Sequence, residues 1–135
     1  MPALPRAFVD TSAWYAYIRA DDPDHRRIRP HLDPPEARLV TSNFVFDEVV
    51  TLVSLRLGHA AAVRAGTALR GTPSVECVRI LPEDEEHAWT FFVRHRDKDY
   101  SYTDCTSFAL MRRLGLTLAV TTDRHFRQAG FDQLP

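Results

Sequence analysis

Short apolar runs alternate along the chain with longer stretches in which apolar residues recur every three or four positions. The short runs predict strands at residues 7–10, 38–42, 75–80 and 117–122. The longer stretches predict helices at residues 12–20, 24–32, 43–57, 60–70, 82–96, 103–114 and 124–129. Strands that alternate with helices are typical of an α/β domain with a mostly parallel central sheet.

Boundary residues support several of these helices. Gly58 ends the long stretch 43–57, and Gly115 ends the stretch that begins at Thr103, which we expect to be its cap. Pro82 is followed by a run of acidic residues, a combination that suits the first turn of a helix.

Two aspartates follow predicted strands directly. Asp10 comes after "AFV" and Asp123 comes after "LAVTT". Parallel strands in such sheets end at one edge, where ligands bind, so the two carboxylates are expected to meet there. Each aspartate could instead be a helix cap, because aspartate is a favoured N-cap residue.

A third carboxylate, Glu48, lies on the predicted helix 43–57 with mostly apolar neighbours three and four positions away. Asp47 beside it has more polar surroundings, so Glu48 is the one expected to face inward. An unpaired buried charge costs several kcal/mol, which requires a compensating partner. That partner could be an arginine or a bound cation.

Asp104 falls in the first turn of the predicted helix 103–114, where the helix dipole stabilises an acidic side chain in any case. Its helical neighbours Phe108 and Met111 place it at the edge of a core face. Four carboxylates with no histidine or cysteine cluster among them describe a site for a hard cation, Mg²⁺ or Mn²⁺. Such an ion generates hydroxide from water and stabilises charge on an attacked phosphate.

The amino-acid composition excludes few classes of binding partner. The chain has 135 residues, which fits a single domain covering 1–135, and its 17 basic and 18 acidic residues leave a formal net charge of -1. Binding to nucleic acid would therefore need local clustering of charge.

Cys77 and Cys105 form no CxxC pair, and we expect both to be free buried thiols. No signal peptide or membrane-length apolar run is visible, so we expect a cytoplasmic protein.

Four segments together resemble the PIN domain and, within it, the VapC-like toxins of bacterial toxin–antitoxin systems. They are "FVDTSAW", "SNFVFDEVVTL", "YSYTDCTSFALMRRLGL" and "AVTTDRHFRQAGF", in the family's order and spacing over residues 7–131. The resemblance implies a three-layer α/β/α fold with a central mostly parallel sheet.

The resemblance also implies roles for individual residues. Asp10, Glu48, Asp104 and Asp123 match the family's acidic metal-site residues, and the supporting polar residues are Thr11 or Ser12 and Thr121. The implied activity is hydrolysis of RNA with Mg²⁺ or Mn²⁺. The implied protein partners are a small antitoxin that blocks the site and a second copy in a homodimer.

An RNA substrate needs positive charge near the acids. Arg124 is the strongest candidate because it follows Asp123, and Arg112 and Arg113 end their helix nearby. Each could equally be a solvated helix-end cation.

Asp99 lies close to the third motif, and we interpret it as a loop residue. The apolar residues of helices 12–20 and 43–57 are the candidate dimer surface.

Three other functions compete with an RNA-cleaving toxin. A metal-dependent DNA nuclease of the flap-endonuclease type shares the acidic residues, but the chain is short and has no helical clamp insertion. A catalytically silent RNA-binding or scaffold module would not need all four acids. A receiver-type phosphoacceptor domain would need a lysine after a late strand, whereas the only lysine, Lys98, lies in a predicted loop.

Overall fold

Strands and helices alternate along the chain in the computed structural model, which describes residues 4–33, 35 and 37–135. The strands are β1 (Arg6–Val9), β2 (Arg38–Ser42), β3 (Val75–Val78), β4 (Leu118–Val120) and β5 (Asp132–Leu134). The helices are α1 (Thr11–Ile18), α2 (His25–Leu32), α3 (Asn43–Leu57), α4 (His59–Gly71), α5 (Pro82–Arg94), α6 (Tyr102–Leu114) and α7 (His125–Gln128).

The five strands form one parallel sheet in the order β3-β2-β1-β4-β5. The chain first moves outward from β1 to β3, then crosses to β4 on the other side of β1 and continues to β5. Right-handed crossovers in these two directions place α1–α4 on one face of the sheet and α5–α7 on the other. The predicted three-layer α/β/α fold with a parallel sheet is therefore confirmed, and the direction reverses between β1 and β4, where such sheets bind ligands.

Helix α6 is the most deeply buried helix of its layer, with every residue from Asp104 to Met111 buried. Phe108 on this helix is fully buried and packs against the rings of Tyr100, Phe126 and Phe131 at centroid distances of 5.2, 5.0 and 5.7 Å. This packing fixes the start of α6 and the segment after β4 relative to each other, which matters for the carboxylates there.

Cap residues set where the helices around the sheet begin and end. The side chain of Ser42 accepts a hydrogen bond from the Val45 backbone N–H at 3.1 Å and begins α3. Gly115 adopts the left-handed conformation, with φ 69°, and ends α6. The cap of α6 is Ser101 and not the predicted Thr103, because Ser101 forms a reciprocal capping box with Asp104.

Two further sequence predictions differ from the structure. The edge strand β5 was not predicted, because three residues beside the closing proline are too short for a periodic signal. Cys105 is buried as expected, but Cys77 is exposed because β3 is the other edge strand of the sheet.

Only one of the two helices of the predicted dimer surface exposes large apolar side chains. Helix α1 is mostly core, and Trp14 donates from its buried Nε1 to Thr41 Oγ1 at 3.3 Å. On α3, the other helix of that surface, Leu55 and Leu57 are exposed, and outside the predicted surface α4 and α5 expose Val63, Trp89, Phe92 and Val93. Across the described residues, no helix is both long enough and apolar enough to span a bilayer.

An ion pair between a buried aspartate and a partly exposed arginine connects α5 to α6. Arg113 donates from Nε and Nη2 to the Asp84 carboxylate at 2.9–3.1 Å, and its Nη2 also reaches the Arg79 carbonyl oxygen. Asp84 is only 1 % exposed and also accepts from the Leu81 backbone N–H. Burial raises the pKa of Asp84, but the hydrogen bonds from Arg113 and Leu81 outweigh it and hold that pKa below its usual range.

We expect Arg113→Met to lower the free energy of unfolding by about 2–3 kcal/mol, because it leaves a buried carboxylate without its cation. Urea unfolding at neutral pH measures the loss. Arg70→Met, an exposed arginine in the last turn of α4, is the matched control and should change stability little. Equal losses in the two variants would contradict the structural role of Arg113.

Candidate metal centre

The Asp10 carboxylate lies at the carboxyl end of β1 and is 3 % exposed. Asp10 occupies the N-cap position of α1, yet its side chain makes no capping hydrogen bond. Its Oδ2 instead accepts from Ser12 Oγ at 2.9 Å and from Thr121 Oγ1 at 3.1 Å. The structure therefore does not support the helix-cap alternative for Asp10.

Hydroxyl groups connect Asp10 to the segment that follows β4. Ser12 Oγ lies 3.1 Å from Thr121 Oγ1 and accepts from the Thr122 backbone N–H at 3.0 Å. Thr121 Oγ1 accepts from the Asp123 backbone N–H at 3.3 Å. Of the predicted supporting residues, Ser12 and Thr121 are in contact with the Asp10 carboxylate. The Thr11 hydroxyl is not, and this buried Oγ1 has no hydrogen-bond partner among the described residues.

Asp104 reaches the same edge from the first turn of α6. Its Oδ2 accepts from the Ser101 backbone N–H at 3.0 Å, which is half of the capping box, and lies 2.9 Å from His125 Nδ1. The first-turn position predicted for Asp104 is confirmed, and one of its oxygens serves the helix through the capping box. Oδ1 of Asp104 accepts no hydrogen bond from any described residue.

Asp123 completes the group from the loop between β4 and α7. Its Oδ1 accepts from the His125 backbone N–H at 2.9 Å and lies 3.8 Å from His125 Nδ1. One ligand atom each from Asp104, Asp123 and His125 falls within 4.8 Å of the others, a spacing that a single metal ion can bridge.

The electrostatics of this edge are unfavourable without a cation. Burial raises the pKa of Asp10 to about 8, with repulsion from Asp104 and Asp123 adding to the rise and the Ser12 hydrogen bond opposing it. Burial and Asp123 also raise the pKa of Asp104, against the hydrogen bonds from Ser101 and His125. Within the described part of the chain, no arginine or lysine forms an ion pair with any of the three aspartates. Uncompensated carboxylate oxygens of this kind suit a divalent cation.

Glu48 is the predicted acid that the structure does not bring into this group. It lies half-buried on α3, whereas Asp47 is exposed, which agrees with the predicted facing of the two residues. Glu48 makes no hydrogen bond or ion pair to a described residue. The helix α3 begins at the carboxyl end of β2, beside β1, so Glu48 approaches the edge from a neighbouring element.

The candidate RNA-binding arginines divide into two kinds. Arg113 is engaged by Asp84, and Arg112 lies over the rings of Phe91 and Phe131 and donates to the Ala129 carbonyl oxygen. Both therefore have structural partners that sequence spacing does not reveal. Arg124 is exposed beside Asp123 without an ion pair among the described residues, and Asp99 lies exposed in the loop before α6.

His125 belongs to the site, although the sequence analysis did not single it out. The signal that points to it is its position two residues after Asp123, which keeps both in one tight turn. Only the contact with Asp104, 21 residues earlier, distinguishes a site residue from a core residue, and that contact depends on the packing of α6.

Comparisons with known proteins all lead to one family of proteins. The family model of the PIN domain matches residues 7–132. The chain is 40% identical over 124 residues to the 23S rRNA-specific endonuclease VapC20 of Mycobacterium tuberculosis, covering 92% of this chain and 94% of that protein. The crystal structure of Mycobacterium tuberculosis VapC20, described as a Sarcin-Ricin loop cleaving toxin, superposes with a TM-score of 0.87 at 39% identity over 93% of this chain and 95% of that one. A DNA-bound VapBC from Salmonella typhimurium shares the fold, with a TM-score of 0.66 at 15% identity over 96% of each chain.

Proposed function

The chain belongs to the PIN domain family, and we propose that it is a metal-dependent endoribonuclease that acts as the toxin of a type II toxin–antitoxin pair. Its site residues are Asp10, Asp104 and Asp123, with Glu48 as an additional acid from α3. Its cofactor is Mg²⁺ or Mn²⁺. The observation that carries the proposal is the convergence of three aspartates from separate segments, with no arginine or lysine among the described residues paired to them.

The donor set fits a hard divalent cation better than zinc. Carboxylate oxygens of Asp104 and Asp123 outnumber the single histidine, His125, in the group that can surround one ion, and neither Cys77 nor Cys105 belongs to that group. When bound, such an ion supplies a water of lowered pKa and stabilises negative charge on a phosphate.

The residues of this chain then have distinct tasks. Asp104 Oδ1 and Asp123 Oδ2 receive no hydrogen bond from the described residues, so these two oxygens are available to hold the cation. Ser12 and Thr121 orient the Asp10 carboxylate by donating to its Oδ2. The buried Thr11 hydroxyl accepts or donates no hydrogen bond among the described residues, so it is free to bind a water next to Asp10.

We propose that the substrate is ribosomal RNA of the large subunit. Support comes from the relative at 40% identity, whose name specifies 23S rRNA, and from the structural match to a toxin that cleaves the sarcin–ricin loop. The acidic residues alone would indicate a nuclease, but they would not identify the RNA that it cleaves.

An antitoxin protein is the expected partner of such a toxin, and it should cover the acidic edge and block cleavage. A homodimer remains a prediction from the resemblance. The exposed apolar side chains on α5, Trp89, Phe92 and Val93, offer it a surface that the sequence pattern did not indicate.

Purified protein incubated with 23S rRNA tests the proposal. With Mn²⁺ or Mg²⁺ present we expect cleavage at a small number of positions, and with excess EDTA we expect none. A flap DNA substrate under the same conditions separates the RNA nuclease from a flap-type DNA nuclease. Binding of RNA with no cleavage by any divalent metal would favour the silent-module alternative.

We expect Arg124→Gln to weaken binding of RNA several-fold while leaving the cleavage rate at saturating RNA nearly unchanged. An exposed arginine beside the acids neutralises one phosphate, so its loss should reduce the slope of log affinity against log salt by about 1. Fluorescence anisotropy across a salt series measures this. Arg70→Gln on α4 removes the same charge away from the edge, and an equal effect in that variant would argue against a local role for Arg124.

A further inference from the structure

Hydrogen bonds hold the three aspartates together in two separate groups. Asp10 and Asp123 are connected through the hydroxyl of Thr121, which donates to the first and accepts from the backbone of the second. Asp104 is held by its own helix cap, through Ser101, and this bond does not reach the other two aspartates.

His125 is the residue that joins these groups. Its backbone N–H donates to Asp123 Oδ1 at 2.9 Å, and its ring Nδ1 lies 2.9 Å from Asp104 Oδ2. Among the described residues, no other side chain connects Asp104 to the segment after β4 by a hydrogen bond. One residue therefore contacts one oxygen of each of two carboxylates that come from distant parts of the chain.

The direction of the ring hydrogen bond follows from the ionised form of Asp104 that holds a cation. An ionised carboxylate only accepts hydrogen bonds, so Asp104 Oδ2 accepts from both the Ser101 backbone N–H and the ring, and Nδ1 carries the proton. The ring is held edge-on against Tyr100, with centroids 5.6 Å apart and planes at 89°. Tyr100 is itself buried, which limits rotation of the imidazole.

We propose that His125 is a positioning residue for the cation, and this inference rests on the metal-dependent function proposed above. By engaging Oδ2 of Asp104 and Oδ1 of Asp123, it directs the opposite oxygen of each carboxylate, Oδ1 and Oδ2 respectively, toward the same ion. Partners of this kind that orient metal ligands are typically worth a factor of about 10–100 in metal affinity.

Two substitutions separate the hydrogen bond from the ring packing. His125→Asn places an amide N–H near the position of Nδ1 but removes the ring and its contact with Tyr100. His125→Phe keeps a ring against Tyr100 but removes the donor. Both variants keep the backbone N–H that serves Asp123, so they differ in the hydrogen bond to Asp104, which only His125→Asn retains, and in the ring contact with Tyr100, which only His125→Phe retains.

Binding of Mn²⁺ alone, followed through the electron paramagnetic resonance signal of free Mn²⁺, is the primary measurement. We expect His125→Phe to weaken Mn²⁺ binding by about 10–100-fold and His125→Asn to stay within about threefold of the parent protein. Thermal unfolding of each metal-free variant, compared with the parent, shows that both remain folded.

The opposite order would overturn the proposal: Mn²⁺ binding retained in His125→Phe, or lost equally in both variants as expected if the imidazole itself is a ligand. Because this measurement contains no RNA, it is independent of the nuclease activity. Intact Mn²⁺ binding without cleavage of any RNA would reject the proposed function and leave the role of His125 standing.

Discussion

Replacing Asp10 with asparagine is expected to reduce RNA cleavage by more than about 100-fold, since losing only an outer partner of a metal ligand already costs about 10–100-fold. Asparagine has the same shape, and its amide oxygen can still accept from Ser12 and Thr121. The substitution therefore removes one negative charge from the buried edge with little change in packing. Initial rates of rRNA cleavage at saturating Mn²⁺ measure the loss.

The same substitution should stabilise the metal-free protein at pH 8. The buried Asp10 carboxylate must ionise near this pH beside two other acids, whereas asparagine has no charge to bury. Loss of activity together with a higher melting temperature would distinguish removal of a functional charge from damage to the fold. Asp99→Asn makes the same chemical change in an exposed loop and should alter neither property. Cleavage by Asp10→Asn at the parental rate would remove Asp10 from the catalytic site.

The fold was largely predictable because its signals are local. The stretch 43–57 was predicted with the same bounds as α3, since its serine cap and terminal glycine both lie within the sequence window. The strand β5 escaped prediction because its three residues become a strand only by pairing with β4. The cap of α6 was placed two residues late, at Thr103, because two hydroxyl residues could cap the helix and only the three-dimensional capping box selects Ser101.

The acidic residues of the site could be predicted from the sequence, but the contacts of the residues around them could not. Aspartates after strands are visible in sequence, and parallel topology brings Asp10 and Asp123 to one edge. The partners of Arg112 and Arg113, and the contact between His125 and Asp104, join residues separated by 17–29 positions, so no helical or strand periodicity encodes them. The position of Glu48 relative to the other acids depends on how α3 packs against its neighbours and on the rotamer of a long side chain.

In the metal-free protein, the free energy of unfolding is expected to decrease as the pH rises from about 4 to about 8. The pKa of Asp10 is raised from 3.8 to about 8, so between these values the folded protein holds a proton that the unfolded chain has lost. When the folded state binds more protons, the free energy of unfolding decreases with increasing pH. Asp104, whose pKa is also raised, adds to the same trend.

A bound divalent cation should reverse this trend, because it binds the ionised carboxylates and only in the folded state. At a free metal concentration about 100 times Kd, binding adds about 2.7 kcal/mol, or roughly 10 °C in melting temperature for a domain of this size. Thermal unfolding in EDTA and in excess Mg²⁺, each from pH 5 to pH 8.5, measures both slopes. Asp10→Asn should flatten the slope in EDTA, since its side chain does not titrate. A stability in EDTA that rises steadily across this range in the parent protein would mean that the three aspartates are already neutralised without metal.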